Sequence, residues 1–226
     1  STGVRFRSSE YVKHVQLVEA ATAYVESRPS DFTPPDDGYT DGVRNGWVDR
    51  IRFVTVGSYP PDLDQMREWR EQGHENLTDT FRRWQTEKGR SFEFWFEEER
   101  AAFGTAHMEI LRGRVLRLAR IHSGQEQFTE RDLFEPPAVR LLTDLGSLFE
   151  RYGVPQGSLL KTVEAFMLSS EAKQIPFLKI SAAMYACMAK KAAEGQKKPP
   201  NQGTFADVTA LASLLPVCDV MVIDDK

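Results

Sequence analysis

The sequence predicts an α/β protein, predominantly helical, with a short parallel sheet in its C-terminal part and helical additions before it. Three observations carry that expectation. Apolar residues recur at helical spacing through most of the chain, beginning with Val12, Val15, Val18 and Val25. Near the end, Val208, Leu211, Ala212 and Leu215 mark a helix that Pro216 stops. Val220–Ile223 then follows as a short, fully apolar run, suited to a strand covered on both faces of a parallel sheet.

Taken in order, Ser9 caps a first helix running to about Arg28. Residues 29–46 are rich in Pro, Gly and Asp and read as a loop or linker. Ile51–Val56 is β-branched and aromatic, which favours a strand. Pro60 and Pro61 open a helix through about Glu71, and a polar, amphipathic helix follows from about Asn76 to Lys88 with Phe81 and Trp84 on it. Residues 92–121 are the longest helical pattern, carrying Ala101, Met108, Leu111, Val115 and Leu118 on one face. Its opening, Phe92–Phe96, alternates and is aromatic, so a strand is the alternative there.

A polar loop spans 122–135, and the Pro136-Pro137 pair starts a helix that reaches about Tyr152 before Gly153. A further helix covers Gln156 to Ser170. Ile175–Ile180 leads into a helix from Ser181 to Glu194, where Ala182, Ala183, Ala186 and Ala189 permit close packing against a neighbour. A short basic connection, 195–203, reaches the last helix, which Thr204 caps. The expected division is a helical region over 1–135 and a C-terminal domain over 136–226.

With 226 residues the chain can bury a sizeable core as one large or two small domains. The net charge of −4 excludes a generally basic nucleic-acid binder, so an RNA ligand would need a local basic patch. Cys187 and Cys218 lack metal-ligand spacing and read as buried thiols of a reducing compartment. No run of about 18 apolar residues offers a membrane span, and a cytoplasmic protein is expected. The opening residues lack both the apolar core of a signal peptide and an initiator Met, as in a processed chain or a fragment.

The acids near the end draw the functional reading. Asp224 and Asp225 close the expected strand, at the edge where open α/β sheets place ligands. Asp207 lies in the first turn of the preceding helix, one right-handed crossover away. Carboxylates clustered in this way suit Mg²⁺ or Mn²⁺, which prefer hard oxygen ligands. The bland alternatives are a first-turn acid favoured by the helix dipole and a solvated strand end.

The stretch from about Ile180 to Lys226 resembles the closing half of a PIN-like domain, a metal-dependent ribonuclease fold of toxin–antitoxin systems and RNA processing. The resemblance is carried by the Ala-rich Ser181–Ala189, the turn at Gly195, Asp207–Ala212 and the Met221–Lys226 ending. It implies Asp207 and Asp225 as metal-site carboxylates, with Asp224 an alternative in the same register. Glu150, Glu164 and Glu171 are all candidates for the family's second acid. The implied activity is hydrolysis of RNA phosphodiester bonds, with Mg²⁺ or Mn²⁺ activating water and stabilising the phosphate charge.

Substrate phosphate would meet Lys190, Lys191, Lys197 and Lys198, or a second set at Arg112, Arg114, Arg117 and Arg120. Both groups read equally as solvated helix surfaces. His14, His74, His107 and His122 are isolated, and no serine elbow or phosphate-cradling Gly-rich loop is present. A competing expectation is a non-catalytic helical interaction or regulatory protein, with a protein partner or a second copy, as a subunit of a larger complex.

Overall fold

The computed structural model describes residues 5–6, 9–33, 40–41, 63–129, 132 and 137–217. Its α-helices are α1 (Ser9–Glu26), α2 (Leu63–Thr86), α3 (Phe92–His122), α4 (Pro137–Arg151), α5 (Leu159–Met167), α6 (Pro176–Ala193) and α7 (Thr204–Leu214). Single 3₁₀ turns lie at Gln156–Ser158, Ala172–Gln174 and Leu215–Val217. Two residues of β1 (Arg5–Phe6) pair antiparallel with β2 (Thr40–Asp41), Arg5 opposite Asp41.

The expected parallel sheet is therefore corrected: among the described residues the protein is helical and no parallel strands occur. Val220–Ile223 and Ile51–Val56, read as strands, lie outside the described residues. Phe92–Phe96, with strand as its alternative, is the first turn of α3. The Ser91 hydroxyl accepts the Phe94 backbone N–H at 3.2 Å and so caps the helix. Phe92 and Phe96 stack with ring centroids 5.8 Å apart, which four-residue spacing permits in a helix and not in an extended strand.

Two further boundaries differ. The helices expected on either side of residue 73 are one, α2, with Gly73 inside it. A single interior glycine costs only about 1 kcal/mol, and the Gln72 amide donates to Asn76 Oδ1 at 3.1 Å across the site. Thr204 is the first helical residue of α7, not its cap; Gly203 holds that place, and Asn201 Oδ1 accepts both the Gly203 N–H (2.9 Å) and the Thr204 hydroxyl (3.1 Å). Residues 175–180 do not merely lead into a helix, because α6 starts at Pro176, whose missing N–H suits a first turn.

The chain divides into two compact units. The first takes Ser1–His14, Thr33–Phe96 and Ile180–Lys226. Its core joins Leu77, Phe81 and Trp84 of α2, Trp95 of α3, and Ala186, Ala189 and Ala192 of α6. Trp84 and Trp95 meet edge to face at 6.5 Å, and the alanine face of α6 is small enough to close on these large rings.

The second unit takes Val15–Phe32 and Glu97–Lys179. Leu142, Leu145 and Phe149 give α4 a buried stripe, and α4 packs on α5. Phe166 of α5 meets Phe149 at 5.8 Å and Tyr24 of α1 at 5.5 Å. Gln16 is buried, and its Oε1 accepts the Phe177 N–H at 3.0 Å, supplying one of the acceptors that the start of α6 needs. At Gly104 a Cβ would stand 2.1 Å from the Met167 carbonyl oxygen, so only glycine lets the backbone of α3 come this close.

Candidate functional site

Asp207 sits in the first turn of α7, as expected, and its side chain is exposed. Asp224 and Asp225 lie outside the described residues. Among the described residues no group of three His, Cys, Asp or Glu side chains is arranged to hold a metal ion. Glu164 pairs with Arg112, Glu171 accepts from the Ser170 hydroxyl at 3.1 Å, and Glu150 is exposed. Cys187 is free and exposed, which corrects its reading as a buried thiol: its place on α6 falls between the buried Ala186 and the outward Lys190. Cys218 lies outside the described residues.

The arginines on α3 are drawn inward by carboxylates. Asp132 is the hub. Its Oδ1 accepts Arg117 Nε at 2.6 Å and its Oδ2 accepts Arg117 Nη2 at 2.9 Å, a two-pronged pair. Arg114 Nη1 reaches Oδ1 at 3.1 Å, and its Nη2 donates to the Asp132 carbonyl oxygen. The Thr129 N–H and hydroxyl complete the shell on Oδ2 at 2.9 and 2.8 Å. The Arg117 guanidinium, followed by the Thr129 N–H, holds the Asp132 carboxyl well below the usual carboxylate range. Glu126 accepts from Arg117 at 2.8 Å and from Arg120, while Arg112 binds Glu164. This set of four cations is thus engaged with carboxylates of its own unit, and offers a phosphate chain little unpaired charge.

The same half of α3 exposes its apolar face. Leu111, Val115 and Leu118 follow one another at steps of four and three residues, the spacing of one helix face. Ile110 is 45% exposed, Val115 54% and Leu118 41%, and Ile121 continues the stripe half-buried. Leu116 stands 59% exposed on another face. The sequence places Met108, Leu111, Val115 and Leu118 on one face; in the structure Met108 is buried, Leu111 half-buried, and Val115 and Leu118 exposed. Asp132 was not legible as a hub, because its 15- and 18-residue separations from the arginines follow no local pattern.

Of the expected RNA-binding cations, Lys190 and Lys191 close α6, and Lys197 and Lys198 lie in the connection after it, all exposed. Lys190 has a weak pair with Glu194 at 3.9 Å. The histidines form no site. His14 and His122 are exposed, and the His107 Nδ1–H donates to the Phe103 carbonyl oxygen at 2.9 Å while the ring packs on the Phe103 ring at 4.0 Å. Burial pushes the His107 pKa below its ordinary value. Among the described residues, His74 Nδ1, Trp84 Nε1 and Trp95 Nε1 are buried without a hydrogen-bond partner.

No family model matches the chain, and neither a curated protein nor a solved structure matches it. Among the described residues no helix is long and apolar enough to cross a membrane.

Proposed function

We propose that the protein is a non-catalytic helical interaction module, a subunit of a larger assembly, whose partner-binding face is the second half of α3. The observation that carries this reading is the exposure of Ile110, Val115 and Leu118, flanked by the half-buried Leu111 and Ile121. Single exposed apolar residues are ordinary, but a run at steps of four and three is the seam that one helix offers another. The fitting occupant is the apolar face of a partner's amphipathic helix, laid along α3. Ion pairs from Arg114 and Arg117 to Asp132 stiffen the flank of the stripe, which lowers the ordering cost of docking.

The nuclease expectation now rests on the spacing of Asp207 and Asp225 alone, since the sheet that was to carry it is absent among the described residues. The decisive experiment replaces Val115 and Leu118 with Glu. We expect the double variant to keep wild-type helix content and melting temperature, since both side chains are exposed, and to lose a partner that is recovered with the wild-type chain. A melting temperature lowered by several degrees would mean that the stripe is covered within the chain, and would overturn the reading.

A further inference from the structure

The first unit gathers positive charge at one end. The end of α2 and the turn after it carry Arg82, Arg83, Lys88 and Arg90, and the end of α6 and the connection after it carry Lys190, Lys191, Lys197 and Lys198. These segments, far apart in sequence, are tied together where the Gln85 amide donates to the Gln196 carbonyl oxygen at 2.7 Å. The packing beneath agrees, because Trp84 and Trp95 flank the turn and share a core with Ala189 and Ala192 beside the lysines.

Windows 82–91 and 190–198 hold eight cations against two acids, Glu87 and Glu194, while the remaining chain holds 21 cations and 31 acids. The excess at this end therefore opposes the sign of the whole molecule. Some of it is neutralised locally. Arg82 pairs with Asp79 at 2.7 Å, Arg83 approaches Glu87 at 4.0 Å, and Lys190 approaches Glu194 at 3.9 Å. Glu93 feels Lys190, and Asp207 stands at the far edge of the connection. Arg90 lies over the Phe94 ring at 4.3 Å. Lys88, Lys191, Lys197 and Lys198 are exposed and have no carboxylate partner among the described residues.

We propose that this basic end binds the phosphate backbone of nucleic acid, without reading its sequence. Charge complementarity selects a polyanion, and the surface chemistry selects which one. Neither window contributes a large exposed apolar side chain. Backbone binding by counterion release needs only spaced cations, whereas a peptide ligand is held chiefly by apolar anchors, which neither window exposes.

The test measures fluorescence anisotropy of a labelled mixed-sequence single-stranded 20-mer against the full chain, from 50 to 200 mM salt. For four phosphates neutralised at a slope of about −0.7 each, affinity should fall roughly 50-fold over that range. Changing Lys88, Lys191, Lys197 and Lys198 together to Gln should weaken binding at least about tenfold at 50 mM salt and flatten the salt dependence. The pair Lys197→Gln and Lys198→Gln, outside every helix, should show about half of the change in slope and guards against misfolding of the fourfold variant. Neutralising Arg112, Arg140, Lys161 and Lys179 instead should leave binding unchanged. Three results would each overturn the proposal: no binding at 50 mM salt, equal loss in that control, or tighter binding to polyglutamate or to vesicles rich in phosphatidylserine than to the oligonucleotide.

Discussion

Ser27 ends α1 with φ = 52°, a left-handed conformation that glycine adopts without the Cβ clash. The turn is held by the Arg28 N–H donating to the Ala23 carbonyl at 3.0 Å, so the conformation is fixed by the helix end itself. Replacing Ser27 with Gly should raise stability by about 0.5–1 kcal/mol, measured by urea unfolding; a decrease would mean that the Ser27 side chain contributes to the turn. His107 supplies a pH signature. Its folded pKa is depressed, so the unfolded chain binds the proton more readily. Stability from this group is complete above about pH 6.5 and falls as the pH drops toward the folded value. The melting temperature between pH 7.5 and 5 should fall less in His107→Leu than in the wild type. Asp132 acts lower on the scale. Its carboxyl is held down by Arg117, so its contribution is present above about pH 4 and is lost as the pH falls further. Asp132→Asn should remove that acid-limb loss and loosen the 123–132 segment, seen as faster amide exchange at Thr129.

At the scale of elements, α3 depends on a residue it lacks a side chain for. Gly104→Ala would drive a methyl against the Met167 carbonyl, a backbone atom that cannot swing aside. Destabilisation of about 1–3 kcal/mol is expected by chemical denaturation, where an exposed control, Gly113→Ala, should gain close to 1 kcal/mol instead. Much of the helix map was legible in the sequence. The limits of α1, α3 and α4 lie close to those read from Ser9, from periodicity and from Pro137 before Gly153, although Ser9 is the first helical residue of α1 and not its cap. One alternative and one misreading have local causes. Phe92–Phe96 alternates like a strand because aromatic residues fill most of its positions, and the cap at Ser91 decides for helix. The helices read up to about Glu71 and from about Asn76 are one, because Gly73 between them is too weak a break for a 24-residue helix with Leu77, Phe81 and Trp84 anchored in a core.

For the whole molecule, the expected sheet failed because it leaned on one apolar run, Val220–Ile223, which lies outside the described residues, and on a resemblance covering the end of the chain. The candidate site was less legible than the fold. A charge or an apolar stripe is visible in sequence, but whether it is paired or exposed depends on partners such as Asp132 and Gln196 that arrive from distant segments. If the interaction reading holds, calorimetry with Mn²⁺ should give no binding heat that disappears in Asp207→Asn. A saturable heat lost in that variant would restore the carboxylate site.

The pair of indoles in the first unit makes the protein its own spectroscopic probe. Trp84 and Trp95 lie 6.5 Å apart at a steep mutual tilt, close enough for their excited states to couple through space. Such coupling splits the ultraviolet circular dichroism into a positive and a negative lobe. The split depends on the angle between the rings, so it reports packing where helix content cannot. Neither ring nitrogen has an acceptor among the described residues, so their protons should resonate upfield of water-bonded indoles. A ligand arriving at the nearby lysines could then be followed without any label on the protein.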